Sequence, residues 1–392
     1  MPGILDEDLI EIDYKTWADN RDSFRLVDIR NEAAFAYGHM PGSVNIPLES
    51  INEDFSLVQD YSLLVCRSGE VSLELAERLR DNGIKTFSFT PGYAGWLRTV
   101  LRAEYDKAKD VEVSIRKKFN KKIWRRFAGA VKSYELVKPG DSIAVCISGG
   151  KDSMLMAKCF QELKRHNKFP FEVKYLVMDP GYTAANREII ENNLRLLDIP
   201  AHIFTSEIFE SVFGVEKNPC YLCARMRRGY LYEEAKELGC NKIALGHHFD
   251  DVIETTLMSM LSGGQIQGMM PKLRSTSHPG MEIIRPLYLI REDDIKHWRD
   301  YNGLYFLQCA CKFTETCTTC HTGEGPTGSR RLETKKLIQE IKKTNPQVEA
   351  NIFHSMENVM LDTVISYKKK GVHHSFLDDY DSVSLTSVTD EN

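Results

Sequence analysis

Short apolar runs of the kind that fill buried parallel strands recur along the chain, and stretches with apolar residues at helical spacing lie between them. Early in the chain the runs are Phe24–Arg30, Ser62–Val65 and Thr86–Phe89. Leu73, Leu75, Ala76 and Leu79 mark a helix over Val71–Leu79, and Gly38-His39-Met40-Pro41-Gly42 and Pro91-Gly92 supply turns. Further on, strands are predicted at Ser142–Ile147, Val173–Met178, Ala201–Phe204 and Lys242–Leu245, and another at Tyr305-Phe306-Leu307. Arg331–Ile341 and Gln347–Tyr367 carry helical patterns. Strands alternating with helices predict an α/β protein with two parallel-sheet domains. The expected boundaries are 1–105 for the first domain, 106–135 for a basic helical linker and 136–330 for the second domain. C-terminal helices then fill 331–372, and an acidic, Ser/Thr-rich tail over 373–392 is expected to be disordered.

Composition narrows this little. The chain has 392 residues, 42% of them hydrophobic and 27% charged, which suits two domains with full cores. No apolar run approaches the roughly 18 residues of a membrane helix. The acidic start, Met1 to Asp8, lacks the order of a signal peptide. A cytosolic protein with no membrane partner is expected, so its ten cysteines read as chemistry or metal ligands before disulfides. The net charge of −5 hides one basic segment. Arg116, Lys117, Lys118, Lys121, Lys122, Arg125, Arg126 and Lys132 are free of acidic neighbours, and Ile115, Phe119, Ile123, Trp124 and Phe127 interleave with them. That pattern predicts an amphipathic helix, either for a nucleic-acid backbone or as a solvated face.

The most informative stretch is Ser148-Gly149-Gly150-Lys151-Asp152-Ser153, set between the strand at Ser142–Ile147 and a helix from Met154. A glycine turn opening a helix presents free N–H groups to an anion, and Lys151 adds a positive charge. The spacing is not that of the Walker loop, which points to ATP cleaved between its α and β phosphates rather than to γ-phosphoryl transfer. Asp152, Asp250 and Asp251 offer hard oxygen ligands for Mg²⁺. Asp179 ends the strand Val173–Met178. Gly246-His247-His248 follows the strand at Lys242–Leu245, where open α/β sheets take ligands. The two histidines are either metal ligands or groups that position a phosphate, and the second use is the favoured one.

Cysteines supply the other chemistry. Cys66-Arg67-Ser68-Gly69-Glu70-Val71-Ser72 joins a buried strand to a helix, and N–H groups curled round a sulfur there favour its nucleophilic, anionic form. Cys220-Tyr221-Leu222-Cys223 has the spacing of a redox pair, of a cluster ligand pair or of half a zinc site, and spacing alone does not separate these. Arg225, Arg227 and Arg228 follow as either a phosphate clamp or a solvated face. Cys309, Cys311, Cys317, Cys320 and His321 crowd into one segment. Cys146, Cys159 and Cys240 lie inside strand or helix patterns and read as buried small hydrophobes.

Two resemblances rest on these motifs. With Val27-Asp28-Ile29-Arg30, Gly38 to Leu48 and Gly92-Tyr93-Ala94-Gly95-Trp96, the first domain resembles the rhodanese sulfurtransferases. The resemblance implies that Cys66 carries a persulfide. Glu70 and Val71 stand where many rhodaneses carry a second basic residue, so the donor is expected to be a cysteine desulfurase or another protein persulfide. The Ser148–Ser153 loop resembles that of the N-type ATP pyrophosphatases. Pro219 to Gly229, Ala244 to Asp251 and Ile284-Arg285-Pro286-Leu287 narrow the likeness to the tRNA 2-thiocytidine synthetases.

That resemblance implies an adenine-nucleotide α-hydrolase-like fold, a tRNA substrate, AMP and pyrophosphate as products, and a region near Asp179 beside the adenosine. It also implies a [4Fe–4S] cluster on Cys220, Cys223 and a third cysteine, for which Cys309 fits best and Cys311 competes. Cys311, Cys317, Cys320 and His321 then suffice for Zn²⁺, or Cys317 and Cys320 relay sulfur. A homodimer is among the expected assemblies. Two rivals remain open: an enzyme activating a carbonyl on a non-RNA substrate, and a zinc-stabilised RNA-binding or redox protein whose rhodanese half only docks.

Overall fold

The computed structural model describes residues 9–103, 107–166, 168–206, 208, 219–307, 330–378 and 380. They fall into two compact units, Met1–Val252 with Met270–Leu332, and Ile253–Met269 with Glu333–Asn392.

The first unit holds two sheets. Strands β1 (Glu11–Ile12), β2 (Arg25–Asp28), β3 (Val44–Asn45), β4 (Ser62–Val65) and β5 (Thr86–Phe89) form a parallel sheet in the order β1-β5-β4-β2-β3. Apolar residues on both faces explain why its central strands read as continuous runs. Leu63 and Val65 pack with Trp17, Phe87 and Phe89, while Leu64 packs on the other face with Ile51, Leu75 and Leu79.

Strands β6 (Ser142–Ile147), β7 (Glu172–Asp179), β8 (Ala201–Thr205), β9 (Lys242–Ala244), β10 (Lys272–Arg274) and β11 (Glu282–Ile284) form the second sheet, in the order β10-β11-β9-β6-β7-β8. All its described pairings are parallel except β10 with β11. That antiparallel edge was not predicted, because its strands are three residues long and β10 is polar and solvent-facing. From β6 the order runs to β7 on one side and to β9 on the other. This reversal opens a crevice at the carboxyl ends of the strands, where the phosphate loop begins.

The two sheets share one hydrophobic core. The helix Gly92–Ala103 lies on the helix Ala184–Leu196. Arg98 Nη1 is 3.4 Å from Glu188 Oε2, and the Trp96 ring meets that of Tyr305 edge-on at 4.7 Å.

Three expectations are corrected. The basic segment is not one helix: a helix ends at Arg116, a π turn spans Asn120–Trp124, and a second helix covers Arg125–Ser133. Its apolar side is core, with Ile115, Ile123 and Phe127 buried, and Arg116, Lys122 and Arg126 pair with Glu162 and Asp294. Tyr305-Phe306-Leu307 makes no strand; Phe306 and Leu307 are buried, and the Leu307 carbonyl accepts from Tyr37 rather than from a neighbouring strand. In the second unit the helix expected to reach Tyr367 stops at Ser355, and β12 (Ser366–Lys369) pairs with β13 (Val372–Ser375). Lys370 and Gly371, at φ of 51° and 83°, make the left-handed two-residue turn that a hairpin favours. Paired structure therefore extends into the segment from 373 expected to be disordered, whereas 379 and 381–392 lie outside the described residues.

Candidate active site

The loop Ser148–Ser153 leaves the buried end of β6 and enters the helix Lys151–His166. Gly149 has a φ of +84°, and a Cβ there would stand 2.7 Å from Ile190 Cγ1, so turn and packing both demand glycine. Ser153 Oγ closes the loop: it donates to the Gly150 carbonyl at 3.0 Å and accepts from the Ser148 N–H at 3.1 Å. Gly246, after β9, backs the loop so closely that a Cβ would lie 3.2 Å from the Ser153 nitrogen.

Lys151 is 4% exposed. Its Nζ lies 3.1 Å from Asp152 Oδ2 and 3.2 Å from Glu292 Oε1. Burial alone would depress its pKa, but Asp152 and Glu292 outweigh burial and hold it above the ordinary lysine value. The cradle thus keeps a fixed positive charge.

The acidic residues split. Asp152 keeps a buried Oδ1 without a hydrogen-bond partner among the described residues, 3.9 Å from His248 Nε2. Asp251 reaches back to the His248 N–H at 3.0 Å, and its own N–H points at His248 Nδ1 at 3.4 Å, so it caps the helix Phe249–Gly263. It also pairs with Arg331 at 2.7 Å. Burial would raise the Asp251 pKa, and His248 and Arg331 together lower it below the usual carboxylate range. Asp250 pairs with Arg291 at 3.1 Å and accepts from the Glu292 N–H at 2.7 Å. Among the described residues no three carboxylate, His or Cys groups converge as a metal cluster. Of the three residues expected to serve Mg²⁺, Asp250 and Asp251 are engaged by helix capping and arginine pairs, and Asp152 retains an open acceptor.

His247 is half-buried, and its Nδ1, which is out of solvent, has no hydrogen-bond partner among the described residues. Burial, with Arg285 and Arg331 nearby, brings its pKa down to about 4 against the opposing pull of Asp251. It is therefore a neutral imidazole suited to hydrogen bonding. Asp179, expected near the nucleotide, uses both carboxylate oxygens internally: Oδ1 accepts from the N–H groups of Gly181 and Tyr182, and Oδ2 pairs with Arg187 at 2.6 Å. It shapes the loop after β7. Arg227 donates to the Tyr182 hydroxyl at 3.3 Å, and Arg225 and Arg228 are exposed.

In the first sheet Cys66 is 5% exposed at the end of β4, before the helix Glu70–Asp81. Its Sγ accepts from the N–H of Gly69 at 3.1 Å, the N–H of Ser72 at 3.4 Å and the Ser72 hydroxyl at 3.3 Å. The sulfur therefore sits in a nest of donors at the start of a helix. The next residue, Arg67, donates to Asn186 Oδ1 at 3.1 Å, tying the Cys66 loop to the helix Ala184–Leu196 behind the phosphate loop.

Cys220 and Cys223 lie among the first five residues of the helix Pro219–Glu237. Cys309, Cys311, Cys317, Cys320 and His321 lie outside the described residues. Cys146, Cys159 and Cys240 are buried, and burial pushes the Cys146 thiol up to about 12, in keeping with a packing role. Sequence reasoning missed Tyr37 and Glu292. Neither belongs to a local motif, and only the docking of distant elements brings them to Lys151.

A family model described as a PP-loop domain matches residues 119–311, and one described as a Rhodanese-like domain matches residues 13–99. A tRNA-cytidine(32) 2-sulfurtransferase from Paraburkholderia xenovorans is 31% identical over 71% of this chain and 79% of its own length. One from Anaeromyxobacter dehalogenans is 33% identical over 62% of this chain and 81% of its own. Among solved structures, a U34-tRNA thiolase from Methanococcus maripaludis aligns with a TM-score of 0.46 and 20% identity, over 59% of this chain and 76% of that one.

Proposed function

The chain belongs to the tRNA-cytidine(32) 2-sulfurtransferase family, and we propose that it uses ATP to replace the C2 oxygen of a tRNA cytidine by sulfur carried in cis on Cys66. One observation carries the reading: a phosphate loop with a buried, charged Lys151 and a thiol held by three donors belong to one compact unit.

Oxide is too poor a leaving group to be displaced directly. Attack of the C2 oxygen on the α-phosphorus of ATP expels pyrophosphate, which the N–H groups of the loop and Lys151 receive as its charge develops. Sulfur at the sulfide level then adds at C2, and AMP departs with the oxygen. Sulfur arriving as the Cys66 persulfide is first released by a dithiol reductant, which supplies the two electrons that break the S–S bond and leaves as a disulfide. Mg²⁺ accompanying the nucleotide finds its acceptor in the open Oδ1 of Asp152. His247, neutral, offers a hydrogen bond to phosphate without adding charge.

Cysteine thiolates are the donor set that an iron–sulfur cluster takes, and a [4Fe–4S] cluster held by Cys220, Cys223 and Cys309 (Cys311 competing) would supply an iron site for sulfur. Cys317 and Cys320 are left for Zn²⁺ or for relay. Cys66, lined by N–H donors, holds the persulfide handed over by a cysteine desulfurase or another protein donor. Lys117, Lys118, Lys121 and Arg125, which have no carboxylate partner among the described residues, remain for the tRNA backbone. No described helix is long and apolar enough to cross a membrane.

The test is anaerobic incubation with MgATP, bulk tRNA and hydrosulfide, followed by nucleoside mass spectrometry and nucleotide analysis. 2-Thiocytidine and AMP are expected in equal amounts. AMP without thiolated nucleoside would point to a non-RNA carbonyl substrate, and neither product would sink the assignment.

A further inference from the structure

One of the N–H groups assigned to pyrophosphate is already engaged. The N–H of Lys151, first residue of its helix, donates to the Tyr37 hydroxyl at 3.2 Å. Tyr37 ends the helix Glu32–Tyr37 beside the first sheet, and the same hydroxyl donates to the Leu307 carbonyl at 2.5 Å. A Cβ added to Gly150 would stand 3.2 Å from this hydroxyl, so loop and phenol are in direct contact. The Lys151 Nζ and the Arg299 guanidinium lie 5.4 and 5.9 Å from the centre of the Tyr37 ring. Burial, reinforced by the Asp152 charge, holds the phenol pKa above its ordinary value, so the hydroxyl keeps its proton.

A phenol has one proton to give. With that proton directed at Leu307, only lone pairs face the loop. A phosphate oxygen arriving at the Lys151 N–H would meet a second acceptor competing for the same donor, at contact distance and in a buried setting. Phosphate and the seated hydroxyl therefore oppose each other.

We propose that Tyr37 is a plug supplied by the sulfur-carrying half of the chain, whose seating on the phosphate loop and nucleotide binding exclude each other. The proposal rests on the phosphate-loop reading above. It also provides a route to the sulfur site. Arg30 donates to the carbonyl of Gly38, next to Tyr37, at 2.8 Å and lies 3.9 Å over the Tyr93 ring. The Tyr93 N–H in turn donates to the Cys66 carbonyl at 2.8 Å. Displacing Tyr37 as ATP enters thus reaches the Cys66 loop through a continuous set of contacts, and sulfur transfer follows nucleotide loading.

The experiment is calorimetric titration of the full-length protein and its Tyr37→Phe variant with inorganic pyrophosphate. Removing the competing acceptor should tighten binding by about fivefold to tenfold, the worth of one ordinary hydrogen bond. General damage to the fold would weaken binding, so a gain is not a structural by-product. Equal or weaker binding by the variant, with the wild type binding normally, would overturn the plug and leave the phosphate loop standing. Binding by neither would overturn the loop assignment and the plug with it. In the wild type, pyrophosphate should also speed amide hydrogen exchange in residues 32–37; unchanged or slower exchange would contradict the proposal.

Discussion

Glu292 Oε1 lies 3.2 Å from the Nζ of Lys151, although the helix Glu292–Tyr301 is far from the phosphate loop in sequence. The Glu292 N–H is in turn held by Asp250 at 2.7 Å. The lysine that meets the pyrophosphate is therefore aimed by a second helix as well as by its neighbour Asp152. Lys151→Met, similar in size and uncharged, should lower kcat/KM for pyrophosphate release by about 100-fold, the scale of a charge-assisted hydrogen bond to phosphate. Glu292→Gln should raise the KM for ATP by about threefold to tenfold, because Asp152 alone then orients the ammonium. An unchanged KM would mean that Glu292 is a bystander.

Ser72 supplies two of the three donors on the Cys66 sulfur. Ser72→Ala removes the hydroxyl and keeps the N–H, so sulfur acceptance from a persulfide donor should fall by about fivefold. Cys66→Ser should abolish persulfide-fed thiolation and spare thiolation fed with hydrosulfide. Rates measured under both supplies decide the matter, and equal loss under both would make Cys66 a structural residue.

Gly246 is a position from which the loop can be pressed from behind. A Cβ would press on the Ser153 nitrogen at 3.2 Å and the Asp152 carbonyl carbon at 3.4 Å. Gly246→Ala should shift the loop by tenths of an ångström and raise the KM for ATP by about tenfold or more, while thermal melting stays close to wild type. A large loss of melting temperature with normal ATP use would be the opposite result.

His247 makes stability depend on pH. Its folded pKa of about 4 lies below the ordinary 6.5, so between these values the unfolded chain binds a proton that the folded one refuses. Stability should be fully present above 6.5 and fall by about 1.4 kcal/mol per pH unit towards 4, where the loss levels off. Urea unfolding across this range is the measurement. His247→Gln should flatten this component, and parallel curves for wild type and variant would assign the slope to other groups.

The two centres were legible because each is a local device. A glycine turn after a buried strand and before a helix has one shape wherever it occurs, so Ser148–Ser153 and Cys66–Ser72 could be placed from their neighbours alone. Tyr37, Glu292 and Arg331 reach the same region through docking of separate elements, which no spacing records. The ion pairs of the basic segment were illegible for the same reason: Asp294 and Glu162, far away in sequence, claim three of its charges. The internal bonds of Asp179, Asp250 and Asp251 were not legible either, because an acidic residue at a strand or helix end can cap, pair with an arginine or face a ligand, and only geometry shows which bonds it makes. The hairpin Ser366–Ser375 escaped notice because its strands are four residues long and largely exposed, so neither face carries an apolar pattern.

The central claim concerns the fate of one oxygen atom. Transfer RNA carrying ¹⁸O at cytidine C2, incubated with the enzyme, MgATP and hydrosulfide, should yield AMP bearing one ¹⁸O for each 2-thiocytidine formed. Label recovered in pyrophosphate or water, with unlabelled AMP, would contradict activation of the base by adenylation.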